Sequence, residues 1–401
     1  MSNKRTAGTV VIGGGAVGTS VACYLAMGGM DVTLVERGEF AWGTSRRCEG
    51  HVVTYDTPPG DFSLFCKTGQ DLFYEAQKFL PVDFDFSPEG IGLLVDNESH
   101  LEMVKANYEG KQKEGYNVTL WDRDELRRHE PNIGDNVIGC LNFNNDCTLN
   151  PMRLCFGLAE HARAHGAVIM PRTHVMDLRM ENGRVSGVET DKGLILTENV
   201  VLAAGVWTPR LGAMLGVNVP IRPRQGHILV TERVQGLLNK AYVEYGYLLT
   251  KHGLKRDNVT PDMDKFGVAF VIEPSTAGTV LIGSSRRFVG MDTRPHPSVM
   301  RAVAERGTQF FPALSDMRLL RCYAGVRPAT TDELPIISTT HIPGLFIGAG
   351  HEGLGISLSL ITGKIMSQLV RGQTPFIDIS YMGIDRFGLN PPAMPVGQTA
   401  V

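Results

Sequence analysis

The chain has 401 residues, of which 43% are hydrophobic and 20% charged, and its formal net charge is −3. This length predicts two domains or one large interleaved α/β unit of ordinary globular composition. The near-neutral charge gives no indication of nucleic acid or an acidic membrane surface as a partner. The seven cysteines are odd in number and scattered, without a C-x-x-C pair, so we expect no metal or iron–sulfur site and reduced thiols in the cytoplasm.

The first predicted elements form a βαβ unit near the N-terminus. A β-branched strand runs into a glycine turn that contains Gly13, Gly15 and Gly18, a helix starts near Ala16, and a second strand ends at Glu36. The first glycine permits the tight turn, the second lets the backbone approach a pyrophosphate, and the third lets helix and strand pack closely. The helix N-terminus favours phosphate, and an acid at the end of the second strand favours ribose hydroxyls.

Hydropathy alone offers a different interpretation of this stretch. No charge lies between Arg5 and Asp31, which is also typical of a membrane span or a signal peptide. The glycine cluster would break such a helix near its start, and the stretch ends on strand residues and an acid. The dinucleotide interpretation is therefore preferred, and we expect no transmembrane segment.

A loop over 41–51 follows, rich in small hydroxyl residues and arginines. Its place directly after the βαβ unit favours contact with a cofactor over a solvated basic loop. Periodicity and turn residues then predict the next elements. They are a helix over 61–80, a strand pair over 84–95 turning at 88–90, helices over 100–114 and 121–130, a strand over 137–143, and a helix over 150–165 capped by Asn150.

The middle of the chain is predicted to be mainly strands, with one helix. They cover 168–170, 174–180, 184–190, 199–205, 220–231, 268–272, 279–283 and 316–322, with a helix over 297–311. The strand at 199–205 is apolar enough to be buried on both faces and ends on a small turn that admits a nucleotide. The polar segment 251–265 is interpreted as a surface excursion or a lid, with an ordinary mobile loop as the alternative.

A second strand–glycine turn–helix unit lies near the C-terminus, with its helix over 356–371. The N-terminus of this helix can face a further anionic group. Beyond residue 388 the sequence is rich in proline and glycine, and we expect a flexible tail over 389–401.

Together these segments resemble the flavoprotein family that includes D-amino acid oxidase, glycine oxidase and monomeric sarcosine oxidase. The resemblance covers nearly the whole chain and rests on four motifs. They are Gly13-x-Gly15-x-x-Gly18 with Glu36, Val201 to Trp207, Gly325-Val326-Arg327-Pro328, and Gly348 to His351 with Gly353 and Gly355. It implies an α/β fold in which a discontinuous Rossmann-like FAD-binding domain of the glutathione-reductase type carries an inserted α+β substrate domain built on an antiparallel sheet.

The resemblance also divides the chain. Residues 1–80, 150–215 and 325–388 are expected to form the FAD-binding domain, and 81–149 with 216–324 the substrate-binding domain. The FAD should be held non-covalently, because the cysteine attachment context of monomeric sarcosine oxidase is missing. Motif positions and the loop over 41–51 predict the FAD-binding residues. They are Gly13, Gly15, Ala16, Val17, Gly18, Glu36, Arg37, Thr44, Ser45, Arg46, Val175, Ala204, Gly205, Trp207, Gly325, Arg327, Gly350, Gly353, Leu354 and Gly355.

Four residues are predicted to act at the substrate. Arg327 matches the family arginine that binds the substrate carboxylate, which suits a bidentate guanidinium; the alternative is a structural arginine at the domain junction. His351 and Glu352 are expected to shape the amine pocket or influence its protonation, with His351 acting through its backbone as an alternative. His51 lies where the family loop passes the flavin ring, and its contact with substrate is open.

One departure from the glycine oxidase pattern indicates which members of the family the chain resembles most. Glycine oxidases tend to carry an arginine where this chain has Gly353, and the His351-Glu352-Gly353-Leu354-Gly355 turn looks more like FAD-bearing β-type subunits of hetero-oligomeric dehydrogenases. These include D-hydroxyproline dehydrogenase, opine oxidase and proline dehydrogenase complexes.

The implied reaction is oxidation of the C–N bond of a carboxylate-bearing amino acid, imino acid or opine, by hydride transfer to flavin N5. Partner subunits with further redox centres would receive the electrons, in the cytoplasm or peripheral to the inner membrane. The alternatives are a single-component oxidase that uses oxygen, a scaffold subunit that relays electrons and, least favoured, a nicotinamide dehydrogenase.

Overall fold

The fold was analysed in a computed structural model that describes residues 5–57, 60–251, 256 and 258–389. Ten α-helices lie in the described residues. They are α1 Ala16–Met27, α2 Asp61–Ala76, α3 Leu101–Lys113, α4 Arg123–His129, α5 Pro151–Ala164, α6 Thr208–Ala213, α7 Gly246–Lys251, α8 Pro261–Lys265, α9 Pro297–Phe310 and α10 Ser359–Val370. The predicted tail lies almost wholly outside the described residues.

The strands of the described residues build three larger sheets and one short pair. They are β1 Arg5–Thr6, β2 Thr9–Ile12, β3 Val32–Val35, β4 His51–Val52, β5 Ile91–Val95, β6 Val118–Asp122, β7 Gly139–Phe143, β8 Cys147–Thr148, β9 Val168–Met170, β10 Val175–Glu181, β11 Arg184–Thr190, β12 Gly193–Leu196, β13 Val200–Leu202, β14 Arg222–Thr231, β15 Ala241–Glu244, β16 Val271–Pro274, β17 Val280–Gly283, β18 Leu319–Ala329, β19 Ile336–Thr339 and β20 Leu345–Ala349.

A six-stranded sheet carries the predicted nucleotide fingerprint. Its order is β19-β20-β13-β2-β3-β9, and all neighbours are parallel except β19 with β20. β2 and β13 are fully buried apolar strands, as sheets with helices on both faces require. The carboxyl ends of β2, β13 and β20 are adjacent, because Leu202 pairs with both Ile12 and Ile347. In such a sheet, ligands bind at these ends.

Helix α1 lies between two other helices, which explains its composition. It contacts α5 and α10, and most of its residues are buried, so it needs no polar face. The helix α5 begins as predicted: the Asn150 side chain accepts hydrogen bonds from the backbone N–H groups of Met152 and Arg153, and Pro151 occupies its first turn.

The second large sheet has eight strands in the order β18-β14-β17-β16-β15-β5-β7-β6. Every pair is antiparallel except β15 with β5. A four-stranded sheet, β1-β12-β11-β10, completes the α/β architecture. This agrees with the predicted fold class. The domain boundaries stay a prediction, and the continuous strand β18 crosses the expected boundary at residue 325.

Several predicted elements differ from those observed. The expected strand pair over 84–95 is a single strand, β5, because Ser87 bridges to Thr148 rather than to that strand. The expected helix over 121–130 starts two residues later, at Arg123. Trp121 lies in β6, and the Asp122 side chain caps α4 by accepting a hydrogen bond from the Glu125 N–H. The expected strand at 268–272 is observed as β16, further along the chain.

In the segment over 251–265, predicted to be a surface excursion, a lid or a mobile loop, residues 260–262, 264 and 265 are exposed and two of the described side chains are buried, and its role stays a prediction. Arg256 is buried and pairs with Glu244, and Met263 on α8 is fully buried. Residues 252–255 and 257 of this segment lie outside the described residues. All seven cysteines are free.

Candidate functional site

One elongated cavity runs along the carboxyl ends of β2, β13 and β20 and continues beneath the eight-stranded sheet. Its empty volume, including the open mouth, is about 1780 Å³. Nineteen of the predicted site residues line it: Gly13, Gly15, Ala16, Val17, Glu36, Arg37, Thr44, Ser45, His51, Val175, Ala204, Gly205, Trp207, Arg327, His351, Glu352, Gly353, Leu354 and Gly355. Residues far apart in the chain therefore share one wall.

The glycine turn brings backbone to the cavity surface. Gly13 has φ of 121°, a conformation that L-residues other than glycine rarely adopt, and a Cβ there would overlap the carbonyl of Ala203. A Cβ on Gly18 would overlap the carbonyl oxygen of Gly13. The turn therefore places the N-terminus of α1 against the cavity, where its N–H groups and dipole suit a pyrophosphate.

Glu36 is fixed at the end of β3. Its Oε2 accepts a hydrogen bond from the Gly14 N–H at 2.6 Å, and its Oε1 accepts one from the Gly38 N–H at 2.8 Å. A carboxylate has further lone pairs, so it can still accept from two ribose hydroxyls. Nearby, the Arg37 guanidinium stacks 3.9 Å from the centre of the Trp207 ring. These residues fit the adenosine half of a dinucleotide such as FAD.

Four predicted residues lie off the cavity wall. Gly18 packs behind the turn, Gly325 lies against Arg47, and Gly350 lies against Thr330. Arg46 instead stacks 3.5 Å from the centre of the Trp42 ring and lines a separate cavity. The predicted cofactor contact of Arg46 is therefore not part of this arrangement.

Arg327 lies on β18 and lines the same cavity as Glu36. Its Nη1 donates to the Ser285 carbonyl oxygen at 3.0 Å and its Nη2 to Ser284 Oγ at 3.2 Å. The guanidinium lies over Gly226, where any side chain would collide with it. These contacts fix the plane of the guanidinium and leave other N–H groups for an anion, since the group carries five donors.

His351 lines the cavity, and its ring contacts α10. The side chain is buried, and Nε2 lies 2.9 Å from Oγ1 of Thr362 on α10. Burial lowers the pKa of His351 to about 3, so its imidazole is neutral at physiological pH. This arrangement agrees with the alternative that His351 acts through its backbone.

Glu352 is a buried carboxylate that remains ionised. Its Oε1 pairs with Arg224, whose Nε donates at 2.8 Å, and its Oε2 accepts from the Gly353 N–H. Burial alone would favour the neutral acid, but the charges of Arg224 and then Arg327 lower the pKa of Glu352 to about 2. A carboxylate with so low a pKa is a poor proton acceptor.

His51 lies on β4 with its Nε2 3.1 Å from Oε2 of Glu273. Burial disfavours the imidazolium, but the hydrogen bond and charge of Glu273, with the charge of Glu49, raise the pKa of His51. The ring therefore lies beside a neighbouring carboxylate and lines the cavity.

Sequence reasoning missed several residues of the cavity wall. They are Glu49, Tyr55, Asp56, Tyr247, Val271 and Ser284. Glu49 and Asp56 flank the predicted His51, so their nearness in sequence was an available signal. No such signal exists for Tyr247, because it lies on α7, far along the chain. Lys251 at the end of α7 forms a buried pair with Asp56, with its Nζ 2.7 Å from Oδ2, and this contact brings α7 to the cavity.

The described residues contain no cluster of His, Cys, Asp or Glu that could hold a metal ion. None of their helices is both long and apolar enough to cross a membrane.

Comparison with known proteins agrees with this geometry. The family model described as FAD dependent oxidoreductase (DAO) matches residues 9–369. The hydrogen cyanide synthase subunit HcnC of Pseudomonas aeruginosa is 28% identical, over 98% of this chain and 99% of that protein.

Two solved structures share the fold over nearly the whole chain. Glycine oxidase from Bacillus cereus has a TM-score of 0.81 at 26% identity, covering 92% of this chain and 96% of that one. L-proline dehydrogenase from P. horikoshii has a TM-score of 0.85 at 24% identity, covering 96% and 98%. With a family model that spans most of its length and a cavity that fits the cofactor, the chain belongs to the DAO family of FAD-dependent oxidoreductases.

Proposed function

We propose that this chain oxidises the C–N bond of an amino or imino acid whose carboxylate is held by Arg327. The observation that carries the proposal is the fixed guanidinium of Arg327 on the wall of the cavity that fits the cofactor. Bound FAD supplies the redox chemistry by accepting a hydride at its N5. The glycine oxidase relative, at 26% identity, supports an amino acid as the substrate.

The surrounding residues support binding and orientation rather than proton removal. His351 is neutral and hydrogen-bonded to Thr362, and Glu352 is paired with Arg224. Neither is placed as a strong base, which suits a substrate amine that reacts in its neutral form. Tyr247 and Arg327 both approach Gly353 in the cavity wall, so Tyr247 can help to orient the substrate.

We favour a D-amino acid, a proline or hydroxyproline type of imino acid, or an opine, oxidised by a subunit of a cytoplasmic hetero-oligomeric dehydrogenase. The name of HcnC, which describes that relative as a subunit, supports an assembly. The turn at Gly353, where glycine oxidases tend to carry arginine, supports a substrate other than glycine.

The experiment is anaerobic titration of the purified FAD-loaded chain with D-amino acids, proline and hydroxyproline isomers, sarcosine and opines. We expect at least one of them to bleach the flavin absorption. If none reduces the flavin, the scaffold role is favoured and the proposed function is wrong.

A second candidate is a single-component oxidase, which the glycine oxidase structure favours. Oxygen consumption during turnover separates the two functions. A dehydrogenase reduces an artificial dye rapidly and consumes little oxygen, whereas an oxidase consumes one oxygen molecule for each substrate oxidised.

A further inference from the structure

Glu49 is a carboxylate of the reaction cavity that lacks a partner on one oxygen. It lies in the loop before β4 and lines the cavity, and its Oε1 is shielded from solvent without accepting a hydrogen bond from any described residue. Neighbouring carboxylates are engaged: Glu273 lies beside His51, and Glu352 pairs with Arg224. A buried anionic oxygen without a donor is costly, and a bound ligand can supply that donor.

Glu49 and Arg327 lie in the same part of the cavity. Oε1 of Glu49 lies against Gly283, where the Cβ of any other residue would overlap it. The next residue, Ser284, accepts the hydrogen bond from Nη2 of Arg327 at 3.2 Å. A negative and a positive side chain therefore flank the two residues at the end of β17.

Glu49 and Arg327 both affect the pKa of the Cys48 thiol. The pKa of the Cys48 thiol is raised by burial and by the charge of Glu49, while the charge of Arg327 acts in the opposite direction. Because Gly283 and Ser284 are adjacent in the chain, a single small ligand can reach Glu49 and Arg327 together. The complementary ligand carries a carboxylate at one end and an N–H donor next to it, as an amino or imino acid does.

We propose that Glu49 binds the substrate amino group while Arg327 holds the carboxylate. The inference rests on the function proposed above. An N–H of the amine donates to the Glu49 carboxylate, which lines the cavity and has no donor from the described residues on Oε1. When the amine and the carboxylate on Cα are both held, the two enantiomers differ in whether the hydrogen or the side chain faces the flavin. Glu49 therefore determines two kinds of selectivity: that for amino acids over acids without an amine, and that for one enantiomer over the other.

The test measures binding without turnover. The holoenzyme is reduced with dithionite, so that it cannot oxidise a substrate, and is dialysed to equilibrium with radiolabelled L-proline, D-proline or cyclopentanecarboxylate. The last compound has the same ring and carboxylate but CH₂ in place of N–H. Wild type, Glu49→Gln and Arg327→Lys are compared.

We expect wild type to bind one proline enantiomer more tightly than cyclopentanecarboxylate. Glu49→Gln should weaken that enantiomer by at least about tenfold and reduce the preference between enantiomers, with cyclopentanecarboxylate unaffected. Arg327→Lys should weaken all three ligands.

Two results would overturn the role of Glu49. One is equal binding of proline and cyclopentanecarboxylate by wild type, which needs no variant to fold. The other is proline binding by Glu49→Gln that equals that of wild type. Failure of the proposed function has a different signature, since it leaves the flavin of wild type unreduced by every amino acid.

Discussion

Glu352 keeps its negative charge in the interior because Arg224 pairs with it across 128 positions of sequence. Arg224 has a second partner in the half-buried Glu333, whose Oε1 is 2.9 Å from Nη1. The two carboxylates hold one guanidinium between β14 and the turn that follows β20. The pair therefore supports the cavity wall as well as the local charge balance.

Glu352→Gln should cost about 3–5 kcal/mol of stability, because it leaves the buried Arg224 with its half-buried partner alone. Urea unfolding at pH 7 measures the loss. Glu333→Gln is the matched control and should cost much less, since Glu333 is more exposed to solvent. Equal losses in the two variants would show that Glu352 is not the main partner of Arg224.

His351 makes the folded state sensitive to acid. Its pKa is about 3 in the folded chain against an ordinary 6.5, so between these values the unfolded chain binds a proton that the folded chain does not. This contribution to stability is full above pH 6.5 and declines as the pH falls towards 3. We expect His351→Gln to reduce the slope of the unfolding free energy against pH between about pH 3 and 6.5. An unchanged slope would mean that His351 is not buried neutral.

At the residue scale, the sequence predicted which residue types line the cavity but not their state. Glu36, Arg327 and His351 were identified from motifs. That Glu352 is paired, that His351 is bonded to Thr362 and that Glu49 lacks a partner depends on contacts between distant segments. No local pattern reports the burial that sets these pKa values.

The element that places the cofactor is the turn between β2 and α1. The helix can pack directly on the turn because Gly18 has no side chain. A Cβ at that position would overlap the carbonyl oxygen of Gly13. Sequence alone predicted this βαβ unit and the Asn150 cap of α5, since both are local. It added a strand before β5, where Ser87 instead bridges to the remote Thr148, and it started β16 three residues early, although β16 pairs locally with β17.

Gly18→Ala should separate α1 from the turn and weaken FAD binding by at least about tenfold, with a stability loss of about 1–3 kcal/mol. FAD affinity is measured by fluorescence during reconstitution of the apoprotein. Gly110→Ala is the control, because Gly110 lies in α3 with open space around its Cβ position and should be neutral or stabilising. FAD affinity equal to wild type in Gly18→Ala would contradict the steric argument.

At the scale of the whole molecule, the cavity joins segments from both ends of the chain. Gly13 and Glu36 come from its start, and Arg327 and Gly355 from its last quarter. Bound FAD should therefore stabilise the entire fold, by about 2.7 kcal/mol when its free concentration is one hundred times Kd.

We expect the FAD to be non-covalent. Acid precipitation should release all of the flavin into the supernatant, and thermal unfolding of the apoprotein should occur at a lower temperature than that of the holoprotein. Flavin that stays with the precipitated chain would show a covalent bond and contradict this expectation.

The central claim is that the chain oxidises a substrate whose carboxylate is bound by Arg327. The most direct test is the rate of anaerobic flavin reduction by proline and by pyrrolidine, its analogue without the carboxylate, in wild type and Arg327→Ala. We predict that the variant lowers kcat/KM for proline by about 10²-fold or more, as the loss of a charged bidentate contact implies, and leaves pyrrolidine unchanged. An unchanged kcat/KM for proline would contradict the claim.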